Sequence, residues 1–193
     1  TPQLTLETGG SDAVVNYASG TGSNELTFTY TIGAGENSAD LDYASTSALG
    51  LNGGTIQDAG GNNATLTLAS PGDAGSLAAN EALVVDTTLP TITNVTSSTN
   101  DGTYVAGQQI SIQITFSETV IVSGTPQLTL ETGGSDAVVN FASGSASNEL
   151  TFTYTIGANE NSADLDYAST SALALNSGTI QDVGGNNATL TLA

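Results

Sequence analysis

Hydrophobic and polar residues alternate along most of this 193-residue chain, most clearly over Glu25–Ile32. The apolar side chains of that run fall on one face and its threonines on the other, which is typical of a strand with one buried side. The same alternation predicts further strands at Pro2–Thr8, Ala13–Ala18, Ala39–Ala44, Thr55–Gln57, Ala64–Ala69, Ala82–Pro90, Thr91–Ser98 and Gln109–Ser117. Helical periodicity is weak, and at most a helical turn is expected at Ser45–Leu51.

Short runs rich in Gly, Asn and Asp separate these strands, for example Gly9–Gly10, Asp58–Asn63 and Thr99–Gly102. Such residues supply the backbone conformations that tight turns between strands require. Many short strands joined by turns of this kind predict an all-β protein built as a β-sandwich.

An internal repeat sets the domain organisation. Thr1–Ala69 and Thr125–Ala193 differ at seven of 69 aligned positions, which leaves 62 identities at an offset of 124 residues. A period of that length fits one domain per repeat. The boundary is expected in the Ala82–Pro90 segment, which gives a first domain of residues 1–82 and a second of residues 83–193.

The phase of the repeat leaves the first domain incomplete. The second copy is preceded by two predicted strands, Thr91–Ser98 and Gln109–Ser117, and the first copy has no counterpart of them in the sequence. Residues 1–82 are therefore expected to expose unpaired strand edges and to be unstable alone.

Composition excludes several functional classes. The chain has no Lys, Arg, His, Cys, Met or Trp, and its 19 Asp and Glu residues give a net charge of -19. Phosphate recognition needs cationic side chains, Ser-His or Cys-His catalysis needs a base, and zinc sites need nitrogen or sulfur ligands. We therefore expect neither an enzyme nor a nucleic-acid-binding protein. The lack of an apolar run near 18 residues also predicts no membrane insertion.

Four motifs in fixed order resemble a known family. They read GTYVAGQQISIQITFSETVIVSGTPQLTLETGG, NELTFTYTI, SADLDYASTSAL and GTIQDVGGNNATLTLA. Together they resemble the bacterial immunoglobulin-like tandem repeats in the extender regions of giant repeat adhesins, and the resemblance spans the whole chain. It implies an immunoglobulin-like sandwich, export to the cell surface, and Ca²⁺ ions that stiffen the junctions between successive domains.

The DLD motif is the first candidate for such a calcium site. A period of two would place Asp164 and Asp166 on one face of a strand, as it would their twins Asp40 and Asp42. Two carboxylates side by side repel each other unless a cation lies between them, and Ca²⁺ prefers oxygen ligands. The alternative is an acidic strand that faces solvent.

Three other acidic residues complete the candidate metal ligands. In an immunoglobulin-like path, Asp86 in the linker and Glu118 after the long strand should lie at the same pole of the domain. Asp101 should lie at the opposite pole, where it serves a neighbouring junction or simply forms a turn. For Asp58 and Asp182, in DAGGNN and DVGGNN, the turn role is favoured over calcium binding.

These features predict a structural repeat of an extracellular bacterial surface fibre or adhesin stalk. Its partners would be neighbouring identical repeats, in the same chain or in other copies. One alternative is a homopolymeric filament in which copies complete one another by donating Thr91–Phe116. Another is a glycan- or ice-binding face made of outward threonines such as Thr27, Thr29 and Thr31, although threonine is also simply a good strand former.

Overall fold

A computed structural model of the protein describes residues 1–192 and divides into two compact units. Unit 1 is Thr1–Thr88, and unit 2 begins at Leu89. Antiparallel sheets make up nearly all of the regular structure, and the single described helix has four residues. The prediction of an all-β sandwich fold is confirmed.

Unit 1 contains one small antiparallel sheet and a short helix. Its elements are β1 (Gln3–Leu6), β2 (Ala13–Ser19), β3 (Thr27–Phe28), β4 (Leu49–Gly50) and α1 (Leu77–Asn80). The strands are ordered β3-β2-β1-β4 across the sheet. Its buried core consists of Leu6, Val15, Leu41, Tyr43, Ala48 and Val85. This core is small, so single contacts within it carry a large share of the stability of unit 1.

Helix α1 lies in a Gly- and Ala-rich segment for which the sequence predicts no helix. The side chain of Ser76 caps it by accepting a hydrogen bond from the Ala79 N–H at 3.2 Å. The chain after the helix is extended, and Val85 exchanges two backbone hydrogen bonds with Ser38 at 2.7 and 2.8 Å. The segment Ser70–Thr88 therefore completes unit 1 with one helical turn and one strand-like stretch.

Unit 2 carries the longer strands. They are β5 (Ile92–Ser97), β6 (Gln109–Ser123), β7 (Gln127–Glu131), β8 (Ala137–Ser143), β9 (Ser147–Thr155), β10 (Asp166–Tyr167), β11 (Leu173–Ala174) and β12 (Thr179–Gln181). The first half of β8 pairs with β7 and its second half pairs with β9, so this strand passes from one layer to the other. Strand β6 pairs with β5, β9 and β12.

The core of unit 2 lies between these layers. Ile114 and Phe116 of β6, Leu128 of β7, and Leu150 and Phe152 of β9 are almost completely buried. Side chains of this size each contribute roughly 1.5–3 kcal/mol when they are fully buried. The long alternating strand expected at Gln109–Ser117 therefore organises the core, and it extends six residues further, to Ser123.

Identical sequences adopt different structures in the two units. NELTFTYTI lies within or next to the nine-residue strand β9 in unit 2, but in unit 1 it provides only the two-residue strand β3. Backbone groups of β9 pair with β6 from Gln109 to Thr115. Unit 1 contains no counterpart of β6, so the same residues lack the partner that would hold them extended.

Other predicted strands are shorter or irregular. The Ala39–Ala44 segment forms no strand, and only isolated bridges at Ser38 and Tyr43 mark it. Ala64–Ala69 is also irregular. The expected helical turn at Ser45–Leu51 instead contains β4. In Ala39–Ala44 the side chains do not alternate, because Leu41, Asp42 and Tyr43 are all buried.

Gly144 gives a test of the β8–β9 turn. Its φ is +106°, and a Cβ at this position would lie 2.1 Å from the carbonyl oxygen of Glu149. We expect Gly144→Ala to lower the free energy of unfolding of unit 2 by about 1–3 kcal/mol, because strain and overlap coincide. Gly134→Ala is the control, since its Cβ would meet nothing within 4 Å. Equal denaturant midpoints for the two variants would contradict this assignment.

Candidate metal centre

Two acidic residues of unit 2 lie close together beside the β6–β12 pair. Glu118 is on β6, and Asp182 directly follows β12. The register of these strands sets Gln181 opposite Ile121. Carboxylate oxygens of Glu118 and Asp182 lie within 4.8 Å of each other. Asp182 is only 3% exposed and Glu118 is half-buried.

The loop after β12 fixes the Asp182 carboxylate. The backbone N–H of Asn186 donates to Oδ1 at 2.8 Å, and the Asn186 side-chain amide donates to Oδ2 at 2.7 Å. In unit 1, Asn62 makes the same two bonds to Asp58, which is exposed. The Asn62 side chain and backbone lower the pKa of Asp58 below its ordinary value. The same turn therefore also forms in unit 1, whose sequence holds no counterpart of Glu118.

Asp86 is the last acidic residue of unit 1. It lies on the chain segment that leads into unit 2, three residues before Leu89. Its Oδ1 accepts a hydrogen bond from the Thr88 N–H at 2.9 Å. The sequence predicts that Asp86 and Glu118 serve together, and this stays a prediction. For Asp182 the sequence favours a turn, and the structure places its carboxylate beside that of Glu118.

The chemistry of these residues fits a hard cation. Two oxygens bound to one Ca²⁺ at about 2.3–2.6 Å lie at most about 5 Å apart, a limit that the spacing of Glu118 and Asp182 meets. Each carboxylate can supply one or two of the six to eight oxygens that Ca²⁺ takes. The chain has no cationic side chain that could neutralise these charges instead.

The first DLD motif binds the backbone of its own unit. Asp42 is 6% exposed and accepts hydrogen bonds from the N–H groups of Tyr43, Gly72 and Leu77. Burial alone would raise the pKa of Asp42, but hydrogen bonds led by that from Gly72 outweigh it and lower the pKa. Asp40 is exposed, and its Oδ1 accepts the Leu83 N–H at 3.3 Å.

The second DLD motif is more open. Asp164 and Asp166 are both exposed, and Asp166 accepts the Tyr167 N–H at 2.8 Å. Asp101 is also exposed, in the turn that follows β5. Over residues 1–192, neither DLD pair nor Asp101 falls in a group of three acidic side chains close enough to share an ion. Their assignment as metal ligands stays a prediction.

A tyrosine–glutamate pair occurs in both units. Tyr154 on β9 donates its hydroxyl to Oε2 of Glu160 at 2.7 Å, and the Gly157 N–H donates to the same oxygen. Tyr30 and Glu36 make the same hydroxyl bond in unit 1. Burial, followed by the hydrogen bond and charge of Glu160, raises the pKa of Tyr154 to about 12. The Tyr154 hydroxyl and the Gly157 N–H lower the pKa of Glu160.

The pair predicts how stability changes with pH. The pKa of Glu160 is lower in the folded state than in the unfolded state. Its contribution to the free energy of unfolding is therefore present above the unfolded carboxyl pKa and is lost as pH falls through the folded pKa. We expect Tyr154→Phe to flatten the acid side of the stability profile. Tyr104→Phe removes a hydroxyl bonded to the Asn100 carbonyl, so it should shift stability equally at all acid pH values. Denaturant titrations between neutral and acid pH measure both, and parallel profiles for the two variants would refute the prediction.

Among residues 1–192, no helix has the length and apolar character to cross a membrane. Comparisons with protein-family models, curated proteins and solved structures return no match to this chain.

Proposed function

We propose that this chain is a structural repeat of an extracellular bacterial surface fibre or adhesin stalk, stiffened by Ca²⁺ at its domain junctions. The observation that carries the proposal is the close approach of Glu118 and buried Asp182 at the β6–β12 edge of unit 2. Two carboxylates at this spacing repel each other, and a bound cation converts that repulsion into attraction.

Asp86 extends the proposal to the linker. Three residues span at most about 11 Å of extended chain, so Asp86 stays near Leu89, the first residue of unit 2. As a third ligand it would tie the linker to the ion. Metal binding would then restrict the motion of the chain where one repeat passes into the next.

The charge of the chain supports the same role. A net charge of -19 without a single cationic side chain favours extended, separated repeats through self-repulsion. Calcium lowers this repulsion only where carboxylates lie close together, so it stiffens the chain only at those places. Placement on the cell surface, and calcium rather than another hard cation, follow from the resemblance of the motifs to adhesin extender repeats.

The test is thermal unfolding with Ca²⁺ and with a chelator at equal ionic strength. A metal-stabilised repeat unfolds at a higher temperature with Ca²⁺, and identical unfolding curves would refute the proposal. Substitution of Glu118 then identifies the site.

Strand complementation between copies is the second candidate function. Donation of Thr91–Phe116 would withdraw Ile114 and Phe116 from the core of unit 2, so these strands are poor donors. For the glycan or ice alternative, Thr29 and Thr31 lie outside strands in unit 1, whereas their counterparts Thr153 and Thr155 lie on β9.

A further inference from the structure

One side of the β5–β6–β9 sheet in unit 2 carries a row of polar side chains. The apolar residues of β6, such as Ile112 and Ile114, point into the core, so the residues between them point to the opposite side of the sheet. The register sets Gln113 of β6 between Thr96 of β5 and Thr151 of β9. Each member of this row therefore offers a hydroxyl or an amide on the side of the sheet that faces away from the core.

A second polar row lies beside the first. Ser111 of β6 lies opposite Thr153 of β9, and Ser98, which directly follows β5, donates its N–H to the Ser111 carbonyl oxygen at 3.2 Å. Residues two apart on a strand share a side of the sheet, so this row continues that of Gln113. We call the six residues of the two rows the outer face. Ser98 and Thr153 of the outer face are exposed.

The outer face is uncharged, although the chain is strongly acidic. The chain has 19 Asp and Glu residues, yet Ile92–Ser117 contains only Asp101, which lies in the turn after β5. The acidic residue of β9 is Glu149, which lies opposite Thr115 at one end of the outer face. The net charge of -19 repels anionic ligands, whereas a neutral ligand rich in hydroxyls meets no such barrier.

Gln113, in the middle of the outer face, has an acceptor that is not satisfied. It is 6% exposed, and its Nε2 donates to the hydroxyl oxygens of Ser98 and Ser111, each at 3.0 Å. Within residues 1–192, its Oε1 is buried and has no hydrogen-bond partner. A buried acceptor without a donor lowers stability, and such groups are rare in native proteins. The missing donor is the observation that points to a ligand.

We propose that the outer face binds a neutral glycan, one hydroxyl of which donates to Oε1 of Gln113. The last torsion of a glutamine side chain is broad, so the amide turns to bring Oε1 toward the ligand. The hydroxyls of Ser98, Thr96 and Thr153 then exchange hydrogen bonds with neighbouring sugar hydroxyls, since each of these groups both donates and accepts. The inference goes beyond the structural role of the chain and does not depend on calcium.

The mixed side chains of the outer face favour a glycan over ice. Neighbouring strands lie about 4.8 Å apart and the two rows about 6.7 Å apart. Ser, Thr and Gln side chains of unequal length stand on this grid. Ice presents identical sites in a fixed lattice, which side chains of unequal length do not all reach. The hydroxyls of a glycan differ in height and direction, so they suit an uneven set of partners.

Binding of glycans by the full chain tests the proposal. The chain has no Lys, so an amine-reactive dye labels only its terminal amine. The labelled chain is applied, with a chelator, to an array that carries neutral and sulfated glycans. We expect binding to neutral glycans and none to sulfated ones. Silence of all neutral glycans, or a preference for sulfated ones, would overturn the proposal. Because a chelator is present, the result is independent of the proposed calcium site.

Two threonine variants locate the glycan. Thr153→Val keeps the shape of an exposed side chain but removes its hydroxyl, and it should weaken binding of the best neutral glycan about fivefold. Thr29→Val is the matched control, because Thr29 occupies the same position of the repeat in unit 1 and lies outside the strands there. The control should bind as the parent chain does. Equal affinities of Thr153→Val and the parent chain, measured by fluorescence titration, would overturn the assignment to the outer face.

Gln113→Met separates binding from folding. The substitution keeps the length of the side chain but removes the acceptor, so glycan binding should fall about tenfold or more. The denaturant midpoint should equal that of the parent chain or rise, because an unpaired buried group is removed. Binding at the parent affinity would overturn the role of Gln113. If the midpoint falls instead, the exposed Thr153→Val substitution still decides the site. An effect of the parent chain on ice growth without glycan binding would assign the outer face to ice and overturn the proposal.

Discussion

Saturating Ca²⁺ is expected to raise the unfolding temperature of unit 2, and Glu118→Gln is expected to abolish most of that increase. A ligand present at one hundred times its dissociation constant stabilises the folded state by about 2.7 kcal/mol. For a domain of about 100 residues this corresponds to a rise on the order of 10 °C or more. Differential scanning calorimetry with calcium and with chelator measures the increase.

The sign of the effect in the chelator separates metal binding from simple loss of structure. Glu118 and Asp182 carry like charges within 4.8 Å. Without calcium, Glu118→Gln removes this repulsion, so the variant should be as stable as the parent chain or more stable. With calcium it should be the less stable protein. A variant that is destabilised equally in both conditions would show that Glu118 has only a structural role.

The repeat provides a second, internal control. Asp182→Asn and Asp58→Asn alter the same turn and disturb the same pair of hydrogen bonds from Asn186 or Asn62. Asp182 lies within 4.8 Å of Glu118, whereas among residues 1–192 Asp58 belongs to no group of three side chains that could share an ion. The calcium-induced increase should therefore vanish in Asp182→Asn and persist in Asp58→Asn. Asp86→Asn tests the linker ligand and should raise the calcium concentration needed for half of the increase.

How far the sequence predicts the fold depends on whether a strand has its partner nearby. The alternation in Gln109–Ser117 predicts β6 correctly, because its apolar residues all face the core. The alternation in Ala39–Ala44 predicts a strand that does not form. There Asp42, predicted to share one face of a strand with Asp40, is buried because it accepts N–H groups from a segment about 30 residues later. Local periodicity contains no information about such a distant partner.

The candidate metal site shows the same limit. Glu118 could be selected from the sequence because it follows a long strand, and Asp86 because it lies in the linker. Asp182 lies in DVGGNN, whose local geometry is fully explained as a turn. What distinguishes it from Asp58 is the pairing of β12 with β6, which brings together residues 64 positions apart (182 minus 118). A comparison of the two copies of the repeat could have distinguished Asp182 from Asp58, because the sequence of β6 precedes only the second copy.

Phe152→Ala should cost unit 2 about 3–5 kcal/mol of unfolding free energy, and Phe28→Ala in unit 1 should cost much less. The two residues occupy the same position of the repeat. Phe152 packs edge-on against Phe141, and Phe28 packs edge-on against Tyr17. Phe152 is 0% exposed and lies opposite Ile112 of the neighbouring strand β6, whereas Phe28 is half-buried. The substitution therefore leaves a closed cavity only in unit 2.

Hydrogen exchange read by mass spectrometry resolves the two units in one experiment, which a single melting curve does not. Peptides from β3 and β9 that extend to Gly35 or Asn159 differ in mass, so the repeated sequences can be distinguished. In the parent chain, amides of β9 should exchange far more slowly than their counterparts in unit 1, because β6 pairs with β9. Phe152→Ala should speed exchange throughout β6 and β9. Equal protection of the two copies would mean that β6 does not stabilise the repeat, and would contradict the structural difference described between the units.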